Sequence, residues 1–391
     1  SGRLGSIWAF KAWDSMPRHS TSLTQEQDSM NIDRVQLDTT LAKIVDPHTG
    51  QNVLSAKNIR HLQVDGGRVL IDFTLPYPAQ SEFDAWRARI IEAFAALPGV
   101  DAVQVNIRHE IIAHAAQNGM KLLPNIKNMI AVASGKGGVG KSTVAANLAL
   151  ALSEEGARTG LLDADIYGPS QPAMLGVAGP PESKDGKTME PLHAYGLQIN
   201  SIGFLIDADQ PAVWRGPMAT SAFSQLLHQT KWDALDYLII DMPPGTGDIQ
   251  LTLAQRVPVT GAVIVTTPQE IALRDAKKGL RMFEKAGIPI LGVIENMGAY
   301  LCRHCGHVAP IFGAGGGTQM CTQYGVPLLG SLPLDIQMRE QMDAGAPPVI
   351  AQPEGQSARL YRDIARKIAV RIARQARDMR SKFPDIVIER S

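Results

Sequence analysis

The stretch Ser134-Gly135-Lys136-Gly137-Gly138-Val139-Gly140-Lys141-Ser142-Thr143 constrains this chain more than any other. It follows a short apolar run, Met129 to Ala133, and precedes an alanine- and leucine-rich stretch of helical character, Val144 to Leu152. The order implied is strand, glycine loop, helix. As G-x-x-x-x-G-K-[ST], the loop runs from Gly135 to Ser142. Its bare backbone can curl N–H groups around a polyphosphate, while Lys141 reaches the β- and γ-phosphates and the Ser142 hydroxyl holds Mg²⁺. The positive end of the following helix falls on the same anion. The residues also fit G-x-G-x-x-G through Gly135, Gly137 and Gly140, with Asp163 or Asp165 near the place where a dinucleotide fold keeps its ribose-binding acid. Lys141-Ser142 decides between the two, because a dinucleotide loop needs close helix packing there and has no use for a cation and a metal-binding hydroxyl.

At 391 residues the chain is too long for one typical core, and two domains plus tails are expected. The formal net charge is zero, so no electrostatic reason points to nucleic acid or to an anionic membrane as a partner. No apolar run approaches the ~20 residues that span a bilayer, and the first thirty residues lack a secretory pattern. A cytoplasmic protein without a membrane span is the expectation. The sequence starts at Ser1 without Met, as a processed or incomplete start would. Its three cysteines are Cys302, Cys305 and Cys321, two of them a C-x-x-C pair. So sparse and odd a set fits a reducing compartment and metal or redox use better than a disulfide framework.

Residues 1–31 show no sustained period and read as a flexible leader. Residues 32–108 read as a small α/β domain of order α-β-β-α-β: a helix from Val35, strands Ile59 to Val64 and Arg68 to Leu75 about a Gly66-Gly67 turn, a helix Ser81 to Leu97, and a strand Asp101 to Arg108. Residues 109–127, polar and broken by Pro124, read as a linker. From 128 to 353 short apolar strands alternate with helical stretches: Met129 to Ala133, Gly160 to Asp163, Leu197 to Ile202, Tyr237 to Asp241, Ala262 to Thr266, Pro289 to Ile294 and Leu328 to Ser331. Such runs, separated by helix-length connections, predict a parallel sheet buried on both faces, with phosphate bound at its carboxyl ends. In residues 354–391, Ser357 to Ser381 reads as one long helix with a solvated basic face, followed by a tail.

Tyr237 to Asp241 is a strand ending in an acid, followed by Met-Pro-Pro-Gly-Thr-Gly-Asp248. In a phosphate-loop fold an aspartate so placed holds Mg²⁺. Leu161 to Asp165 is a second strand ending in acids; Asp165 is favoured as the group that positions attacking water, with Asp163 behind it. Lys136 cannot easily fold back onto its own nucleotide, so its charge is better placed across a subunit boundary, the plain alternative being a solvated surface lysine. Cys302 and Cys305 supply two thiolates, whereas Zn²⁺ or an iron–sulfur cluster takes about four ligands. Open readings are half of a shared site, a zinc site completed by His304 or His307, a redox pair, and two unligated thiols. Cys321, alone in a helical stretch, reads as a small buried apolar residue.

Gly-Lys-Gly-Gly-Val-Gly-Lys-Ser-Thr, with Asp-Ala-Asp-Ile-Tyr-Gly-Pro-Ser and Asp-Met-Pro-Pro-Gly-Thr-Gly-Asp, resembles the Mrp/ApbC family of P-loop ATPases that carry iron–sulfur clusters, in the deviant-Walker-A class. The resemblance covers roughly residues 125 to 350. The unit at 32–108 is similar to the iron–sulfur-assembly domain often fused ahead of that family. The resemblance implies a parallel-sheet P-loop fold and a slow ATPase with ATP and Mg²⁺, the nucleotide held by Gly135 to Thr143 and Mg²⁺ by Ser142 and Asp241. It also implies a homodimer in which Lys136 acts in trans, and adenine contact at Asn296. Cys302 and Cys305 would share a bridging four-iron four-sulfur cluster with the second copy, delivered to apo client proteins in concert with assembly factors. The competing class is a nucleotide-dependent dimerising ATPase that positions or regulates a partner and holds no metal.

Overall fold

The computed structural model describes residues 33–117, 120–206, 216–302 and 304–377. The leader at 1–31 and the tail from 378 lie outside the described residues. The small amino-terminal unit begins with α1 (Arg34–Lys43), where the Asp33 carboxylate accepts from the Val35 N–H and satisfies one open amide of the first turn. Next come β1 (Ile59–Asp65), β2 (Arg68–Leu75), α2 (Phe83–Ala95) and β3 (Ala102–His109). β1 pairs antiparallel with β2, and β3 pairs parallel to it in unbroken register from Arg68/Ala102 to Leu75/His109. α2 places Trp86, Ile90 and Phe94 four residues apart, and that stripe packs onto the sheet, with the Trp86 and Phe73 ring centroids 4.9 Å apart.

The large unit is built on eight strands: β4 (Ile126–Ala133), β5 (Thr159–Asp163), β6 (Leu192–Ala194), β7 (Leu197–Ser201), β8 (Leu235–Asp241), β9 (Gly261–Thr266), β10 (Ile290–Glu295) and β13 (Leu328–Ser331). Their order is β13-β10-β9-β4-β8-β5-β7-β6, parallel throughout except for the short edge strand β6. The seven expected strands all form, and β6 is an addition: its three residues carry too little pattern to be read. Two short strands, β11 (Tyr300–Leu301) and β12 (Val308–Ala309), make a separate hairpin.

Alternate side chains of each central strand enter opposite cores, which is why the strands read as continuous apolar runs. Ile130, Val132, Leu161, Ile239 and Val263 face the side covered by α3 (Lys141–Glu154) and α11 (Gln356–Ala373), a core continuous with that of the small unit. Met129, Ala131, Leu162, Leu238, Ile240 and Ile264 face the other side, covered by α5 (Gly216–Gln229), α6 (Asp248–Arg256), α7 (Glu270–Lys285) and α8 (Gly316–Tyr324). The short helices α4 (Gln171–Met174), α9 (Ile336–Asp343) and α10 (Pro348–Ala351) complete the layers. Cys321 lies buried in α8, where burial pushes its thiol up to about 11.

Two expectations change. The last helix stops at Ala373 rather than 381, because the chain turns there to pair Arg377 with His114 and the Ala376 carbonyl with the Ala115 N–H. Its basic face is not wholly solvated either. Arg366 is buried and donates to Glu82 of the small unit at 2.6 Å and to Glu155 at the end of α3 at 2.8 Å, with Ser81 joining the same network. The segment before β4 is irregular but docked: Ile111, His114 and Gln117 are buried, and Asn128 of β4 bonds His114 and the Ile112 carbonyl.

Candidate functional site

β4, β8 and β5 are neighbours, with Val132 opposite Asp241 and Asp241 opposite Asp163, so three strand ends open at one edge. The glycine loop leaves β4 there and turns into α3. Gly138 and Gly140 hold φ of 82° and 80°, a left-handed state that favours glycine. A side chain at Gly140 would also meet the Asn296 amide, 2.3 Å from where its Cβ would stand, and one at Gly135 would strike the Asp275 carbonyl in α7. The loop is thus pressed against its surroundings at both ends while Gly137 and Gly138 stay open. Gly140 is the residue before the first turn of α3, a fourteen-residue helix whose free N–H groups favour an anion.

Within the first turn Lys141 is buried, its Nζ paired with Asp241 and 3.1 Å from the Ser142 hydroxyl. Asp241 is fully buried, and its second oxygen accepts from the Gln171 side-chain amide at 2.8 Å. The same amide nitrogen donates to the Ser142 carbonyl at 3.0 Å, and the Gln171 Oε1, also buried, has no hydrogen-bond partner among the described residues. Gln171 was not among the sequence-derived candidates: a glutamine after Gly-Pro-Ser carries no pattern. It ties the Asp165 loop to Ser142 and Asp241.

Asp163 organises that loop from the end of β5. Its carboxylate accepts from the Asp165, Ser170 and Gln171 N–H groups and from the Ser201 hydroxyl at 3.0–3.2 Å. Burial, with the charge of Asp241 added, pushes its carboxyl up to about 7. Asp165 is also buried and accepts from the Gly168 N–H. Burial and Asp241 hold its carboxyl above the ordinary range, against the pull of Lys141. A cavity of about 720 Å³ lies between Asp165, Tyr167 and Gly168 on one side and Pro243, Pro244 and Gln250 on the other. The fold therefore brings Lys141, Ser142, Asp163, Asp165 and Asp241 together. Lys136 is exposed at the loop's rim and enters no ion pair among the described residues.

Asn296, the first residue after β10, is buried beneath the loop. Its amide donates to the Val139 carbonyl at 2.9 Å and its N–H to the Thr266 carbonyl at 2.7 Å. The cysteine pair lies apart from this cluster, on the β11–β12 hairpin. The Cys302 N–H donates to the His307 carbonyl at 2.9 Å and the Gly306 N–H to the Cys302 carbonyl at 2.8 Å. Backbone N–H groups of Cys305 and His304 are aimed at the Cys302 sulfur and hold its thiol below the ordinary value, which favours the thiolate that ligates metal. Cys305 is exposed, and among the described residues no group of three or more His, Cys, Asp or Glu is placed to hold a metal ion.

A glycine cradle at the carboxyl ends of a parallel sheet, with a helix amino terminus behind it and lysine, hydroxyl and strand-end aspartate converging, is the construction of the P-loop NTPases. The comparisons agree in detail. Residues 125–369 match the family model described as NUBPL iron-transfer P-loop NTPase, and residues 34–107 match the iron–sulfur cluster assembly protein model. The chain is 47% identical over 334 residues to the iron–sulfur cluster carrier protein of Escherichia coli K12, covering 85% of this chain and 90% of that one. It is 56% identical over 275 residues to the carrier protein of Pseudomonas fragi, covering 70% and 96%. Among solved structures, a nucleotide-binding protein of Archaeoglobus fulgidus in complex with ADP aligns with a TM-score of 0.53 at 35% identity, over 60% of this chain and 91% of that one. The chain belongs to the NUBPL iron-transfer P-loop NTPase family, with an iron–sulfur-assembly domain ahead of the NTPase. No described helix is long and apolar enough to cross a membrane.

Proposed function

We propose that the chain is an ATP-hydrolysing iron–sulfur cluster carrier, acting in the cytoplasm as a homodimer. The observation that carries this reading is the cysteine pair, Cys305 exposed and Cys302 half-buried with N–H groups that favour its thiolate, on the same chain as the phosphate cradle. Two thiols are half of the ligand set that a cluster takes, and a second copy related by two-fold symmetry supplies the other half. The cluster is cargo, held by Cys302 and Cys305 of each copy as a four-iron four-sulfur unit and passed to apo client proteins.

The nucleotide half follows from the buried charges. In the free protein Lys141 neutralises Asp241. Phosphates entering the cradle offer Lys141 a stronger partner, and its departure frees Asp241. Ser142 and Asp241 are the residues that would hold Mg²⁺, and the Gln171 amide, whose nitrogen bonds both of them while its buried Oε1 accepts no hydrogen bond among the described residues, fits a hydrated cation that would supply the missing donor. Bound there, Mg²⁺ neutralises charge on the β- and γ-phosphates. Asp165 orients the water that attacks the γ-phosphorus as the bond to ADP breaks, and Lys136 reaches the phosphates of the second copy. Gly135 to Thr143 would line the phosphate path, and Asn296 is the residue that would contact the base.

The test is transfer. Anaerobically reconstituted protein mixed with an apo-ferredoxin acceptor should generate the holo-ferredoxin spectrum. The Cys302→Ala/Cys305→Ala double variant should generate none while still hydrolysing ATP. Transfer by the double variant at the wild-type rate would refute the carrier role. A double variant that neither transfers nor hydrolyses, but melts at the wild-type temperature, would refute the separation of the two sites.

A further inference from the structure

The peptide joining Val139 to Gly140 is gripped from both sides. Its carbonyl accepts from the Asn296 amide at 2.9 Å. Because the peptide is planar and trans, its N–H, on Gly140, points the opposite way, toward the face of a phosphate loop that meets the anion. Only a glycine at 140 lets the Asn296 amide approach so closely, since a Cβ there would stand 2.3 Å from its nitrogen.

From Asn296 the chain runs six residues to Cys302, and the connection is stiff. The Asn296 N–H is bonded to Thr266 at 2.7 Å, and the neighbouring Glu295 carboxylate accepts from the Gly317 N–H at 2.8 Å and the Ser331 hydroxyl at 3.1 Å. Met297 is held left-handed, φ 57°, a state in which a methionine persists only where its neighbours impose it. The Gly298 N–H donates to the Leu332 carbonyl and the Ala299 carbonyl accepts from the Leu334 N–H, both at 2.9 Å. Tyr300 bridges Leu334 and opens the hairpin. Beyond this stem the hairpin is loosely seated: a cavity of about 570 Å³ separates Leu301 and Val308 from Gln352, Gln356 and Leu360 of the body.

We infer that Asn296 is the positioning residue that couples the phosphate loop to the cysteine hairpin. An anion bound at the Gly140 N–H polarises the Val139–Gly140 peptide and strengthens the hydrogen bond on its far side, as linked hydrogen bonds do. That tightened grip on Asn296 fixes the stem of the hairpin and with it the placement of Cys302. Linkage makes the effect reciprocal, so a cluster on the cysteines changes nucleotide affinity by the factor by which nucleotide changes cluster retention.

The inference rests on the carrier reading, and the experiment separates the two. A fluorescent ATP analogue is titrated into full-length protein, cluster-free and anaerobically reconstituted, for wild type, Asn296→Ala and Asn296→Asp. The aspartate keeps the size of the side chain but has no N–H to donate to Val139. Wild type should show Kd values differing by roughly fivefold or more between the two forms, the usual lower range of allosteric coupling. Both variants should bring that ratio to within about twofold of one while loading as much iron as wild type. Loss of a base contact alone would weaken both forms equally and leave the ratio at its wild-type value, which would overturn the inference, as would a wild-type ratio of one. Wild-type protein that bound no cluster or no nucleotide would defeat the carrier reading itself.

Discussion

The phosphate cradle and the cysteine hairpin are opposite kinds of construction. The cradle is made by the core: Asp163 and Asp241 are strand ends, Lys141 opens a helix packed on the sheet, and the buried polar groups hold one another. The hairpin is made by a turn. Its strands are two residues long, Val308 is 58% exposed, and among the described residues no third His, Cys, Asp or Glu joins the two thiols. A hairpin that short has little stability of its own. The contrast teaches where each site takes its rigidity from, the core for the cradle and the stem for the hairpin. The cradle's buried charges meet within one molecule, so it is sensitive to single changes among them, and in the proposed dimer Lys136 alone comes to it from the second copy. In the proposed carrier a second molecule closes the hairpin's ligand set, and the thiols and the stem are where the hairpin should be sensitive to change.

The largest expected break of this contrast is Lys141→Met. It leaves Asp241 charged and unpaired in the interior, an imbalance that costs about 3–5 kcal/mol for a buried pair, and it removes the cation for the phosphates. A large drop in thermal midpoint and loss of ATP binding by calorimetry are predicted, with iron loading retained in whatever protein stays folded. Arg366→Met comes next. It removes the ion pairs to Glu82 and Glu155 and is expected to cost about 3 kcal/mol by the same reasoning. Scanning calorimetry should show it as a lowered midpoint, while the Kd for ATP stays unchanged because no cradle residue is touched. Gly140→Ala should cost about 1–3 kcal/mol through its left-handed backbone. It also pushes against Asn296, so it should weaken ATP binding with little effect on the melting of the small unit.

The smallest effect concerns pH. Burial holds His114 below the ordinary histidine value, and His109 likewise. The groups facing His114 are Asn128, which bonds it, and Arg377, whose charge adds to the depression. The native state keeps the ring neutral while the unfolded chain takes up a proton as pH falls through about 6.5. The unfolded state then binds more protons, so stability is full above that pH and is lost as pH falls toward the native value. His114→Gln should flatten the decline of the thermal midpoint between pH 7 and pH 5. A decline as steep as that of wild type would assign the acid sensitivity elsewhere.

Much of the cradle was legible because its chemistry needs particular residues in a fixed order beside a strand and a helix. Gly135 to Ser142 and the strand ending at Asp241 announce themselves, and the parallel sheet follows from apolar runs buried on both faces. What was not legible depends on contacts between distant segments. Gln171 has no local signature, and its importance comes from where α4 falls relative to Ser142 and Asp241. Arg366 looked like one arginine among many; the sign that it turns inward is the apolar pair Ala369 and Val370 at three and four residues beyond, on its own face of α11. The helix end at Ala373 is set by the docking of Arg377 on His114, which no periodicity reveals. The hairpin showed its cysteines but not their strands, since two residues are too few to display alternation.

The central claim is that the cysteine pair is half of a site closed by a second copy, and counting iron against chains tests it most directly. Protein reconstituted anaerobically, then measured for iron, acid-labile sulfide and mass by light scattering, should contain about two irons and two sulfides per chain in a dimer, four per shared cluster. The Cys302→Ala/Cys305→Ala variant should contain almost none. A monomer carrying about four irons per chain, or a double variant with wild-type iron, would contradict the account.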